Sequence, residues 1–219
     1  MEVFKPPRAL QDTLHGANRR ISTAFAIFRP RLVGGREDYC LTIATMSSDL
    51  SYPIGRFSVR MVTTAETRRE GIEDIAALPV RMREALAGLN EAQLDTPYRP
   101  DGWTVRQLVH HVADSHMNGY IRLKLALTED NPTIKPYEQA EWAELSDSRL
   151  PVALSLGILD GVHARWTALW RAMKDEDFQR TFNHPELGPL TTHIHAHLYG
   201  WHSRHHVAHI TALRQREGW

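Results

Sequence analysis

The chain of 219 residues contains one cysteine, Cys40, so it cannot form an intrachain disulfide. A protein without disulfides suits a reducing compartment, and we expect a cytoplasmic location. No apolar run approaches the roughly 20 residues that a transmembrane helix needs. The 26 basic and 26 acidic residues balance, so no net charge points to nucleic acid or an anionic membrane as a partner. The composition therefore predicts a soluble globular protein.

Several enzyme signatures are also missing. The sequence shows no Ser-His-Asp ordering, no phosphate loop and no Cys-x2-Cys pattern. Cys40 lies in an irregular segment with no matching base nearby, so we interpret it as a bystander thiol.

The first 45 residues differ in composition from the remainder. Basic residues outnumber acidic ones there, and Pro6, Pro7, Pro30 and the pair Gly34-Gly35 interrupt any helical period. An Arg-rich targeting peptide is one interpretation. The favoured interpretation is a non-native or disordered extension, with Met46 as the natural start and one domain over residues 46–219.

Four segments after Met46 have helical periodicity. They cover about residues 64–89, 104–127, 152–173 and 191–216. Thr104 and Gln107 form a capping-box pattern, and Pro79 predicts a kink in the first helix. The connections at 128–150 and 183–189 are predicted as loops, with no convincing strand pattern. The prediction is an all-α protein, a four-helix bundle with up-down-up-down topology.

Histidine is unusually abundant in one part of the chain. Of 13 histidines, all but His15 lie between His110 and His209. The last helix carries three pairs at i, i+4, a spacing that puts two side chains on one face. These pairs are His193/His197, His202/His206 and His205/His209.

A helical wheel ranks these pairs. His202 and His206 lie among Leu198, Tyr199, Ile210 and Leu213 on the predicted buried face. The pair His193/His197 falls on the opposite side with Arg204, Thr211 and Gln215, and His195 is interpreted with it as a surface or helix-entry residue. The pair His205/His209 stays open, because His209 is on the stripe while His205 is at its edge.

Two buried imidazoles on one helix favour a shared partner such as a divalent metal. A third ligand can come from His110 or His111 in the second helix. The polar strip around His111 favours His111, whereas His110 lies beside Met117 and Ile121. His116 and His163 are interpreted as core histidines that hydrogen-bond to a neighbour.

Longer motifs resemble a known family. Residues 93–99, 102–107 running into His110-His111, 113–118, 165–169, 201–206 and 208–210 resemble the YfiT branch of the DinB-like superfamily. Residues 51–55 fit the beginning of that pattern, so the resemblance covers about 46–219. It implies a helical bundle, often dimeric, in which His111, His202 and His206 bind one divalent metal, zinc or nickel.

The resemblance also implies an activity. Members are named metal-dependent hydrolases, and some are regarded as thiol S-transferases that use bacillithiol or mycothiol. Three histidines leave a coordination position open, as in catalytic sites. The first hypothesis is a thiol S-transferase in which a metal-bound low-molecular-weight thiol attacks an electrophile. The second is a hydrolase that uses metal-bound water, and the third is a structural metal-binding stress protein without enzymatic activity.

Three further residues of the second helix are candidates for the chemistry. Asp114 and Asn118 could orient a ligand or substrate, and Arg122 could hold an anionic group of a thiol cofactor. The alternative for each is an ordinary polar contact within or between helices.

Overall fold

The computed structural model describes residues 50–58 and 64–219. The predicted extension, residues 1–45, and Cys40 lie outside the described residues. Four long helices are present, α1 (Ala65–Leu86), α3 (Val105–Thr128), α5 (Ala153–Ala172) and α6 (Thr192–Glu217). Two short helices, α2 (Glu91–Leu94) and α4 (Gln139–Ala143), stand in the connections. In the described part of the chain, no helix combines the length and apolar character needed to cross a membrane.

Local sequence signals set where three of the four long helices begin, namely α1, α3 and α6. The hydroxyl of Thr104 accepts a hydrogen bond from the backbone N–H of Gln107, and the Gln107 side chain accepts one from the backbone N–H of Thr104. This confirms the predicted capping box, which stabilises the start of α3 by about 1 kcal/mol. Thr64 caps α1 in the same way, and the Thr191 side chain caps α6. α1 continues as one helix through Pro79, where the sequence predicts a kink.

The four long helices form a bundle, as predicted, but their directions differ from simple alternation. α1 and α6 run parallel, because Gly71 approaches Ala196 near one end and Arg214 reaches Ala85 near the other. α3 runs antiparallel to α6, with His111 beside His206 and Gly119 beside His195. α5 runs antiparallel to α1 and parallel to α3. The up-down-up-down prediction is therefore wrong in this respect, and the order is up-down-down-up.

The connection between α3 and α5 explains the difference. Parallel neighbours need a connection that returns along the length of a helix, and the chain between Thr128 and Ala153 is long enough to do so. It is partly structured, with α4 followed by a 3-10 turn at Ser146–Arg149. The Gln107 side chain donates a hydrogen bond to the Ala143 carbonyl at 3.0 Å, and His110 Nε2 lies 2.9 Å from the Leu150 carbonyl. These hydrogen bonds hold the connection against α3.

α1 and α6 touch through their backbones. A Cβ atom added at Gly200 would lie 2.6 Å from the Cα of Gly71, and one added at Gly71 would lie 2.8 Å from the Ala196 carbonyl oxygen. Only glycine permits this approach, since any side chain would overlap main-chain atoms that cannot move aside. The crossing fixes α6 two residues before His202.

A small hairpin corrects the prediction of a bare loop at 183–189. Strands β1 (Thr181–His184) and β2 (Gly188–Thr191) pair antiparallel, and Gly188 has φ +76° in the turn. Phe182 and Leu190 are buried against the bundle. The strands are only four residues long, and Pro189 and Gly188 obscure their alternation. The hairpin closes the bundle over the first turns of α6.

Candidate metal centre

Three histidine rings from two helices meet inside the bundle. His111 comes from α3, and His202 and His206 come from one face of α6. Each offers one nitrogen atom, and these three atoms all lie within 4.8 Å of one another. The ring centroids of His202 and His206 are 4.3 Å apart, and that of His111 is 5.0 Å from His206. The structure therefore brings together the three residues that the sequence singles out.

Burial keeps these imidazoles neutral. Their side chains are between 4% and 7% exposed. Burial lowers the pKa of His111 to about 3, and it lowers the pKa values of His202 and His206 well below the usual range. A neutral imidazole keeps one nitrogen lone pair available to a metal. All three rings are therefore in the protonation state that a metal ligand requires.

The donor set fits a divalent transition metal. Metal–nitrogen distances of about 2.0–2.1 Å suit ligand atoms this close together, after small side-chain rotations. The Nε2 atoms of His202 and His206 are 3.0 Å apart. The three-histidine set contains no carboxylate or thiolate, so it is uncharged and leaves room for a further ligand. Imidazole nitrogen is a ligand for zinc, nickel, copper and iron alike.

Aromatic rings surround the cluster. The Trp103 ring lies 4.6 Å from the His111 ring, and Tyr199 lies 5.6 Å from His202. Next to His206 on α6 is the pair His205 and His209, whose Nε2 atoms are 3.1 Å apart. Burial lowers the pKa of His205 to about 4 and that of His209 to about 3. The pair is buried, but it does not join the three-histidine cluster.

The structure separates the three further candidates of α3. Asp114 lies one turn after His111 and is half-buried; burial, assisted by Asp147, raises the pKa of its carboxyl to about 6. The Asn118 amide donates a hydrogen bond to the Asp114 backbone carbonyl at 2.9 Å. This is the ordinary contact within a helix that the sequence allows as the alternative to a functional role. Arg122 is buried three turns from His111, about 16 Å along the helix axis.

The charge of Arg122 acts on a different pair of side chains. It lowers the pKa values of His184 and His195, as a secondary effect after burial. Of the three, Asp114 is the nearest to His111 along α3 and the one whose pKa is shifted toward neutral pH.

The other histidines give mixed outcomes. His163 lies 2.5 Å from the Ile75 carbonyl and His116 lies 3.0 Å from His202, so both are core histidines with a polar partner, as predicted. His195 is 1% exposed and bonds to the Gly119 carbonyl, so its prediction as a surface residue is wrong. Phe182 of the hairpin covers its ring at 5.2 Å.

Two of these contacts could not be predicted from spacing. His116 is adjacent to His202 only through the packing of α3 on α6, 86 residues apart in sequence. His110 bonds to the Ser155 hydroxyl and to the Leu150 carbonyl, which accounts for its burial without a metal.

Comparisons with known proteins agree with this architecture. The family model described as the DinB superfamily matches residues 75–210. A Bacillus cereus protein named "Putative metal-dependent hydrolase" is 55% identical over 172 residues, which cover 78% of this chain and 99% of the relative. A Bacillus thuringiensis protein with the same descriptive name is 54% identical over the same length.

A solved structure shows the same fold. YfiT from Bacillus subtilis is 48% identical, with a TM-score of 0.75 over 78% of this chain and 98% of that protein. It is described as a probable metal-dependent hydrolase with an unusual four-helix bundle topology. On these matches, the chain belongs to the DinB superfamily, in its YfiT branch.

Proposed function

We propose that this chain is a metal-dependent enzyme that transfers a low-molecular-weight thiol, such as bacillithiol, to an electrophilic substrate. One divalent metal, zinc or nickel, is held by His111, His202 and His206. The observation that carries the proposal is the convergence of three buried, neutral imidazoles within 4.8 Å. Isolated buried imidazoles are costly, and a shared metal supplies the partner for all three.

The ligand set favours an anionic co-ligand. Three neutral histidines leave the full charge of a divalent ion uncompensated, and a thiolate is a suitable counter-charge. When bound, such a metal acidifies a thiol or a water molecule that takes the open position. The protein's own part is to fix the three nitrogens, to keep them unprotonated and to exclude bulk water through Trp103 and Tyr199.

Asp114 is the proposed proton acceptor. Its carboxyl has a pKa raised to about 6, close to neutral pH, where a general base is most effective. Since it stands one turn from His111, its Oδ atoms can receive the proton that a nucleophile loses in the site. Asn118 holds the Asp114 backbone, and we assign it a supporting role. Arg122 remains a proposed contact only for the distant end of a long thiol cofactor.

Hydrolysis is the second candidate, and the names of the relatives favour it. The same histidines and the same base serve both reactions, which differ in whether a thiol or water is the nucleophile. We further expect a homodimer, which analytical ultracentrifugation of the full chain tests.

The deciding experiment combines metal analysis with an assay for thiol consumption. Purified protein is loaded with zinc or nickel and incubated with monochlorobimane and either bacillithiol, mycothiol or glutathione. One metal per chain together with metal-dependent consumption of a thiol supports the transferase. One metal without thiol consumption moves the assignment to hydrolysis or to a structural metal.

A pair of variants on one helix ties the result to the site. His202→Ala is expected to lose the metal and the activity. His193→Ala, on the same helix but only half-buried at its start, is the matched control and should retain both. Full metal occupancy in His202→Ala would refute the assignment of the ligands.

A further inference from the structure

A fourth histidine touches the ligand cluster from behind. His116 is completely buried, and its Nε2 atom lies 3.0 Å from the Nδ1 atom of His202. The other nitrogen of His202, Nε2, faces His206 at 3.0 Å. His202 therefore uses its two ring nitrogens in opposite directions, one toward the cluster and one toward His116.

We infer that His116 is a positioning residue, which accepts the Nδ1–H of His202 and so directs the His202 Nε2 lone pair into the cluster. The inference rests on the metal site proposed above. A neutral imidazole carries a single N–H, so the nitrogen of His202 that carries the proton cannot bind a metal and the other nitrogen can. If His116 Nε2 accepts, the proton of His202 is on Nδ1 and its Nε2 is free to bind a metal. If His116 Nε2 instead donates, the His202 proton is on Nε2 and blocks the cluster.

The surroundings hold the His116 ring in place. It stacks on His163 at 4.9 Å and 19°, and Trp166 and Tyr199 meet it edge-on at 5.7 and 5.1 Å. His163 is itself fastened, since its Nδ1–H donates to the Ile75 carbonyl of α1 at 2.5 Å. An acceptor fixed by three helices orients its donor firmly. Outer partners of this kind contribute about 10- to 100-fold to metal affinity.

Among the described residues, the His116 ring has no second hydrogen bond that would explain a polar side chain at this position. Its Nδ1 atom is buried without a hydrogen-bond partner in the described part of the chain. A buried imidazole chosen for packing alone leaves two polar atoms to satisfy, whereas an aromatic hydrocarbon of similar size leaves none. The polar contact of this ring is with His202, one of the three proposed metal ligands.

The test measures metal affinity rather than activity. Zinc dissociation constants of the full chain are determined by competition with a chromophoric chelator, and cobalt is substituted to record its visible spectrum. His116→Phe keeps a buried ring but removes the acceptor, and we expect zinc binding about 10- to 100-fold weaker, at unchanged stoichiometry. His116→Gln places an amide oxygen near the former Nε2 position and should restore most of the affinity. His116→Asn has similar polarity but a side chain too short to reach His202, and it should behave like the Phe variant.

His163→Phe is the matched control, because it replaces the stacked neighbour without touching a ligand. We expect its zinc affinity to stay within about threefold of the parent, even though it loses the bond to Ile75. Equal affinity losses in His163→Phe and His116→Phe would show that packing alone is involved and would overturn the inference. The inference would also be overturned if His116→Phe bound zinc as tightly as the parent, or if His116→Gln bound zinc no more tightly than His116→Asn. If His116→Phe does not fold, the comparison of His116→Gln with His116→Asn still tests the inference.

Failure of the underlying site is recognisable separately. If the parent chain binds one zinc and His202→Ala does not, the site stands and the His116 variants decide the positioning role. If the parent binds no metal, or His202→Ala binds it equally well, the site itself is wrong and the role of His116 falls with it.

Discussion

The backbone contact between α1 and α6 predicts that the same substitution will have opposite effects at two glycines. At Gly200, a Cβ atom would lie 2.6 Å from the Gly71 Cα and 2.9 Å from its carbonyl oxygen. Ordinary contacts between carbon atoms lie at about 3.5–4.0 Å, so the helices must separate by roughly 1 Å. At Gly161, an exposed glycine within α5, a Cβ atom would meet nothing within 4 Å.

The magnitudes follow from two opposing effects. Replacing a helical glycine by alanine gains about 0.5–1 kcal/mol, since the unfolded chain loses freedom. Overpacking costs about 1–3 kcal/mol, and the overlap at Gly200 is with main-chain atoms that cannot change rotamer. We therefore expect Gly161→Ala to be more stable by up to about 1 kcal/mol, and Gly200→Ala to be less stable by about 1–2 kcal/mol.

Urea unfolding followed by circular dichroism, in the presence of a chelator, measures both free energies without a contribution from metal. The slopes should match that of the parent, so that the midpoints report stability directly. Gly200→Ala should also bind zinc more weakly, because a shift of about 1 Å exceeds the roughly 0.2 Å tolerance of metal–ligand distances. A Gly200→Ala variant as stable as Gly161→Ala would refute the close crossing of α1 and α6.

Three further predictions concern the metal, the histidines and the proposed base. Zinc at about 100 times its dissociation constant should raise the free energy of unfolding by about 2.7 kcal/mol, and thermal melts of His202→Ala with and without zinc should coincide. Burial holds the pKa of His195 at about 3 and that of His163 at about 4, below an unfolded value near 6.5, so their neutral forms contribute stability above that pH. Each of these two histidines should therefore lower the free energy of unfolding by about 1 kcal/mol when the pH falls from 7 to 5.5. Urea midpoints at the two pH values measure this change, and equal midpoints would contradict the lowered pKa values. Asp114→Asn should lower kcat/KM and remove the rise in activity through pH 6, where the carboxyl loses its proton, whereas an unchanged pH profile would exclude Asp114 as the base.

The grouping of His202 and His206 was predictable from the sequence because it depends on one helix. Positions 202 and 206 share a face by helical geometry, and the apolar neighbours Leu198 and Ile210 identify that face as buried. His111 was favoured by the polar strip around it and by the resemblance. Its position beside His206 depends on the antiparallel packing of α3 on α6, which the predicted up-down-up-down order does not give. The capping box at Thr104 was equally local.

Features that depend on other parts of the chain could not be predicted in this way. His195 has the helical position of an entry residue, and it is buried because other elements pack around it, among them Phe182 of the hairpin and Trp166 of α5. The hairpin itself has four-residue strands without a clear alternation of apolar residues. Helix directions depend on how the segment between α3 and α5 folds back along α3, and periodicity within a helix carries no information on that.

The up-down-down-up order has a consequence for the order of assembly during synthesis. His116 and His202, and with them the two halves of the histidine cluster, are 86 residues apart in sequence, and α5 and the hairpin are made between them. α1, α3 and α5 can associate while α6 is still being translated, since α5 contacts both of the others. A metal that joins α3 to α6 closes a long loop, and closing a long loop has an entropic cost unless other contacts have already brought its ends together. We therefore expect the metal to bind late, after α6 has been synthesised and has packed on α3.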